Sequence, residues 1–188
     1  MSENTKSVST AGRKGSSMAV KTMVYCALLT ALSIAMARLF GLMPSEFSRF
    51  SLEAIPTIIA GILFGPLPGA MVGFASDFIG CLFSPYGFNP IFCLPPILYG
   101  LCGGLFRRFL AKKLSFPRLL LTIAPAAVFG SVLWQSFAQD LVYGTGFLVL
   151  LSTRGIQFAI VMVLEALIIH LLFKSRVFHH LGVWPPKR

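Results

Sequence analysis

From residue 20 to residue 173 the chain is a succession of apolar segments, near 20–42, 51–64, 68–84, 91–106, 117–140 and 153–173. Short polar or Gly/Pro-rich connections join them. About 17 to 25 apolar residues are what a helix needs to cross the roughly 30 Å hydrocarbon core of a bilayer. In that core every backbone N–H and C=O must find an internal partner, which leaves few folds open to such a chain. The segments predict an all-α integral membrane bundle of six transmembrane helices. A 56% hydrophobic composition, 12% charged residues and a mean hydropathy of +0.81 agree with residence in lipid. The second segment is the shortest and closes on GPLPG, Gly65 to Gly69, a turn built from two prolines and two glycines. It forms either a full crossing or a tilted pair with the third.

The net charge of +10 raises nucleic acid as a partner, and the placement of the charge argues against it. With the N-terminus in the cytoplasm and six spans threaded, Lys6, Arg13, Lys14 and Lys21 flank the first span on the inner side. Arg107, Arg108, Lys112, Lys113 and Arg118 lie in or beside the loop between the fourth and fifth spans, and Lys174, Arg176, Lys187 and Arg188 lie in the tail. Thirteen of the 16 Lys and Arg then share one face, and Arg38, Arg49 and Arg154 sit at the opposite ends of spans. This positive-inside bias predicts that both termini are cytoplasmic. Residues 1–17 read as a disordered cytoplasmic tail, 18–175 as the six-helix membrane domain and 176–188 as a basic cytoplasmic tail. The first apolar run ends in Arg38 rather than in a small-residue cleavage site, so it is expected to remain as a span. Cys26, Cys81, Cys93 and Cys102 all fall inside spans without a CxxC pair, and packing is their expected role.

The chain offers little footing for enzymatic chemistry. It has no GxxxxGK[ST] phosphate loop, no HExxH, and no nucleophile with a histidine at the same membrane depth. His170, His179 and His180 lie at or beyond the inner end of the last span. The expectation is a protein that is not an enzyme and needs no cofactor or metal.

Ionisable residues inside spans are costly and usually face the bundle interior or a water-filled cavity. Here nearly all of them gather toward the outer face. Arg38 closes the first span. Glu46, Arg49 and Glu53 lie in the outer loop and the opening turn of the second. Asp77 sits in the middle to outer part of the third, and Asn89 in the connection SPYGFNP. Gln135, Gln139 and Asp140 approach the outer end of the fifth, Arg154 and Gln157 open the sixth, and Glu165 alone lies deeper. Ser131, Gln135 and Gln139 at i, i+4 and i+8 predict one stripe on the fifth helix. Aromatic residues accompany them, Phe47, Phe50, Phe74, Phe83, Tyr86, Phe88, Phe92 and Trp134, of which three or four are expected to reach a ligand. Apolar walls with a few converging polar groups suit a small, flat, partly anionic molecule. Arginines hold carboxylates by paired hydrogen bonds, and a carboxylate such as Asp77 accepts donors from a heterocycle. Taken alone, Arg38 or Arg154 is equally compatible with snorkelling to the headgroups.

The inner half differs. Ala27, Ala31 and Ala35 recur every fourth residue, a small-xxx-small ridge of the kind that lets helices approach closely in lipid. The ridge serves either packing within the bundle or docking of a separate membrane protein. Gly61, Gly65, Gly69, Gly73, Gly100, Gly103 and Gly104 read as close packing inside the bundle.

These features resemble the substrate-binding membrane subunits, or S components, of energy-coupling factor vitamin transporters. The likeness rests on the six-span plan, the basic tail and the AxxxAxxxA ridge of the first span. RFSLEAIPTIIAGILFGPLPGAMVGFASDFIG, Arg49 to Gly80, looks like the second and third spans of the folate-specific branch. GFNPIFCLPPILYGLCGGLF, Gly87 to Phe106, resembles the segment that follows, with Leu94, Pro95 and Pro96 departing from it. The resemblance covers roughly residues 20–175. It implies a high-affinity vitamin-binding subunit of a multi-pass bacterial cell membrane importer, partnered by a transmembrane coupling subunit and two ATPases. The bundle would topple to deliver folate or a related vitamin, the ridge Ala27, Ala31 and Ala35 would meet the coupling subunit, and loops around 43–50 and 84–90 would act as lids. Arg38, Arg49 or Arg154 would then suit glutamyl carboxylates, and Asp77, Gln135, Gln139 or Gln157 the pterin edge, with Phe50, Phe88 and Asn89 nearby. Sister branches for thiamine, riboflavin, pantothenate, biotin or queuosine precursors, and a ligand-free membrane scaffold, are the alternatives.

Overall fold

The structure is a computed structural model. It describes residues 3–39, 42–45, 48–50, 52–83, 89–112, 115–144 and 146–175, with side chains for 20–39, 52–83, 89–111, 115–144 and 146–175. Helix α1, Glu3–Leu39, leads into a short antiparallel hairpin, β1 Leu42–Ser45 and β2 Ser48–Phe50, which pairs Leu42 with Phe50 and Ser45 with Ser48. Then follow α2 Ala54–Phe64, α3 Pro66–Leu82, a 3-10 turn Pro90–Cys93, α4 Leu94–Leu105 and α5 Arg107–Lys112. Helix α6, Phe116–Pro125, continues through a π-helical stretch, Ala126–Trp134, into α7, Gln135–Tyr143, and α8 is Phe147–Lys174. The all-α expectation therefore holds except for the hairpin, which falls in the segment read as an outer loop. Residues 3–17, expected to be a disordered tail, form the first turns of α1, and residues 176–188 lie outside the described residues.

Three helical stretches are long and apolar enough to cross a membrane, Val20–Leu39, Phe116–Tyr143 and Phe147–Lys174. Three shorter apolar ones, Ala54–Phe64, Pro66–Leu82 and Pro90–Leu105, occupy the other sequence segments. The shortest is the best enclosed: in α2, Ile55 to Leu63 are all buried. A helix apolar on every side belongs at the centre of a bundle, and α2 touches α1, α3, α4, α5 and α8. Its 11 residues extend about 16 Å, roughly half of the hydrocarbon thickness. The hairpin that precedes it packs on α8 through β2. The bundle centre is thus filled by helix from one side and approached by a hairpin from the other.

Glycine sets the tightest contacts. A Cβ added at Gly100 would collide with the Gly69 carbonyl, one at Gly61 with the Gly100 carbonyl and one at Gly104 with Pro66. Within lipid, apolar burial adds little to helix association, and close packing supplies the attraction. Gly65, at φ 111°, makes the reversal from α2 to α3 in a conformation that an L side chain rarely adopts. The prolines of GPLPG start α3 where their missing N–H costs nothing. At the far end, Gly144 ends α7 in the left-handed region at φ 64°, and the Gly146 N–H donates to Asp140 Oδ1 at 2.8 Å. Together they fold α8 back against α7.

Candidate functional site

Helix α8 presents one continuous inner face, Leu150, Arg154, Gln157, Val161, Glu165, Ala166 and Ile169. Three polar side chains lie on it at 5%, 4% and 1% exposure, Arg154, Gln157 and Glu165. Lipid-facing side chains register as exposed, as Ile156 (71%) does on the opposite face, so the polar three point into the bundle. A snorkelling arginine would keep its head in water. Arg154 does not.

The facing wall comes from Phe116–Tyr143, where the expected stripe of Ser131, Gln135 and Gln139 is corrected. The enclosed positions include Leu119, Thr122, Ile123, Ala126, Ala127, Ser131, Ser136 and Ala138, each at 3% exposure or less. Among them Ala126, Ser131 and Ser136 recur every fifth residue across the π-helical stretch, as expected where i→i+5 bonding turns each residue through a smaller angle than an α-helix does. Pro125, at the start of that stretch, lacks the N–H an α-helix would use and frees the ladder to widen. The inward position after Ser131 is consequently Ser136 rather than Gln135. Gln135 and Gln139 are half-buried and flank it. Ser136 Oγ and Gln139 Oε1 are buried without a hydrogen-bond partner among the described residues, a polar lining that water or a ligand would satisfy.

Beneath them, Ser131 Oγ donates to Tyr99 Oη of α4 at 3.2 Å, both buried. Glu53, at the N-terminal cap of α2, and Glu165 act electrostatically on Tyr99. Tyr99 is not apparent from the sequence, and Glu165 stands out there only by its depth. An ionisable residue inside a span is the available signal for Glu165, and its distance from the outer cluster sets it aside.

The other expected residues do not join that group. Arg38 is exposed, and its Nη2 donates to the Gly80 carbonyl at 2.6 Å, tying the end of α1 to α3. Asp77 is half-buried and its Oδ2 accepts from Cys93 Sγ at 2.8 Å, so it braces α3 against the 3-10 turn. The Asn89 side chain accepts from the Ile91 N–H and caps that turn. Phe74, Phe83 and Trp134 are exposed, with the Trp134 indole N–H donating to the Ile91 carbonyl at 2.8 Å. Phe92 is half-buried, and the side chains of Phe47 and Tyr86 lie outside the described residues. The side chains of Arg49, Phe50 and Phe88 lie outside the described residues, although the strand that carries Arg49 and Phe50 packs on α8. Ala27, Ala31 and Ala35 are exposed along α1, beside Met23, Leu28 and Leu32 at 75%, 61% and 50%.

Residues 17–177 match the sequence model of the ECF-type riboflavin transporter S component family. The folate transporter FolT of Clostridium novyi (strain NT) is 29% identical over 152 residues, covering 80% of this chain and 87% of that one. Two solved structures share the fold. A crystal structure of FolT bound with folic acid superposes with a TM-score of 0.70 at 24% identity, over 81% of this chain and 92% of the other. The S-component for biotin from an ECF-type ABC transporter gives 0.62 at 19% identity, over 84% and 93%.

Proposed function

We propose that this chain, which belongs to the ECF-type riboflavin transporter S component family, captures folate and hands it to an energy-coupling machinery. As a member of that family it is a membrane protein and a transport subunit rather than an enzyme. The observation that carries the folate reading is Arg154, a guanidinium at 5% exposure on the inner face of α8, with Gln157 three residues on. Folate ends in carboxylates, which a buried guanidinium holds bidentately. Riboflavin is neutral and offers no such group. The named folate transporter among the relatives supports the same choice, whereas the description of the family model favours riboflavin as the second reading.

In this reading all six apolar segments cross the membrane, both termini are cytoplasmic, and the hairpin Leu42–Phe50 closes over the ligand from outside. The exposed ridge of Ala27, Ala31 and Ala35 would receive a transmembrane coupling subunit, with two ATPases supplying the energy and the bundle toppling to release its cargo. Arg38, bonded to α3, would hold the ridge helix to the bundle while it moves.

Equilibrium titration of the purified protein with folic acid and with riboflavin tests the ligand. Quenching of Trp134 reports binding once Trp184→Phe has removed the second tryptophan. Tight folic acid binding is expected, and Arg154→Ala should weaken it by about 2–4 kcal/mol, roughly 30- to 1000-fold. Riboflavin bound more tightly than folic acid would move the protein to the riboflavin branch.

A further inference from the structure

Glu165 is the least exposed ionisable side chain of the described residues, at 1%, and its Oε2 has no hydrogen-bond partner among them. A buried carboxyl without partners is costly, by several kcal/mol at membrane depth, and is retained where something answers it. The neighbours do not supply the answer. Glu53, before α2, is acidic and acts on it electrostatically, as Glu165 does on the Tyr99 hydroxyl of α4. That hydroxyl is already bonded to Ser131 of the π-helical stretch. On α8 itself the nearest cations, Lys174 and Arg154, stand 9 and 11 residues away, about 13 and 16 Å along the axis, and the Nδ1 of His170, five residues on, is itself buried without a hydrogen-bond partner among the described residues.

We propose that Glu165 reads the heterocycle of the ligand, its carboxylate accepting two parallel N–H donors from an aminopyrimidinone edge. This deepens the folate reading and rests on it. A pterin presents its 2-amino group and the adjacent ring N–H side by side, the same forked pair that makes guanidinium a match for carboxylate. An ionised carboxylate only accepts. The isoalloxazine edge of a flavin presents a single imide N–H between two carbonyls, so its oxygens would confront those of Glu165 with nothing between them. The separation adds a second constraint. About 16 Å from Arg154 to Glu165 along α8 suits an elongated molecule with carboxylates at one end and a flat aminopyrimidinone at the other. Tyr99 and Ser131 flank the heterocycle end.

The experiment titrates full-length protein in lipid nanodiscs with folic acid and with its 2-deamino-2-oxo analogue, in which one donor of the pair becomes an acceptor. The unmodified protein should favour folic acid by at least roughly 100-fold, since a site built around a ligand N–H rejects the analogue that lacks it. Glu165→Gln, which keeps shape and offers one donor and one acceptor, should bring that ratio close to one. Arg154→Ala should weaken both ligands and leave the ratio in place, a separation that a merely structural Glu165 would not produce. Equal affinity of the unmodified protein for the two ligands overturns the assignment of Glu165 while the folate reading stands, and so does an unchanged ratio in Glu165→Gln. If Glu165→Gln fails to fold, the ratio in the unmodified protein decides alone. Absence of any folic acid binding sinks the folate reading itself, and the assignment with it.

Discussion

Gly100→Ala should leave little folded protein, a large effect for one added methyl group. The new Cβ would sit on the Gly69 carbonyl, and the atoms in its way are backbone of α3, which no rotamer change can move. Helix α3 must retreat from α4, and Gly69 in turn packs against Gly61 of α2, so the disturbance reaches the bundle centre. Overpacking in a close-packed interior costs about 1–3 kcal/mol where side chains can adjust, and a rigid contact belongs at or above the top of that range. Against a total stability of roughly 5–15 kcal/mol, that predicts a strong loss of monodisperse protein in detergent and a markedly lower unfolding temperature. Gly155→Ala provides the contrast. Nothing lies within 4 Å of a Cβ there, and alanine favours helix over glycine by up to about 1 kcal/mol. Equal unfolding temperatures for Gly100→Ala and the unmodified protein would show that α3 and α4 are not packed as described.

Ala31→Trp should abolish folate uptake in cells and leave folic acid affinity within about twofold. Ala31 is exposed at the centre of the ridge, between Ala27 and Ala35, while the inward side of α1 carries Thr30 and Ser33 at 8% and 2% exposure. Ser33 Oγ donates to the Glu53 carbonyl at 2.7 Å, which fixes that side against the start of α2. An indole at that position extends from the exposed side of α1. It would hold a docking helix away from the close approach that small residues permit. Uptake at the unmodified level would rule the ridge out as the docking surface. Loss of binding together with uptake would mean that α1 lies otherwise against the bundle.

Legibility differed residue by residue. The apolar runs and the glycines of α2, α3 and α4 could be read directly, because bilayer thickness and Cβ-free close approach act on composition and spacing alone. Arg154 and Gln157 were legible as an i, i+3 pair, but not the choice between headgroups and interior. Arg38 and Asp77 looked like equals of Arg154. They proved to be bonded to Gly80 and Cys93, partners 42 and 16 residues away that no local pattern indicates. The stripe Ser131, Gln135, Gln139 failed at Gln135 for a local reason, a stretch of π-helix that the 3.6-residue period does not anticipate.

By itself the sequence determined that this is a helical membrane chain, where its helices lie and which residues could be polar inside lipid, since these follow from hydropathy and the need to satisfy the backbone. Tertiary structure alone decided which way those helices face. The alanine ridge turned outward, Ser136 turned inward, and Glu165 came to lie near Tyr99 and Glu53. Each depends on how the helices rotate about the short central α2, and that rotation is set by contacts between residues far apart in the chain.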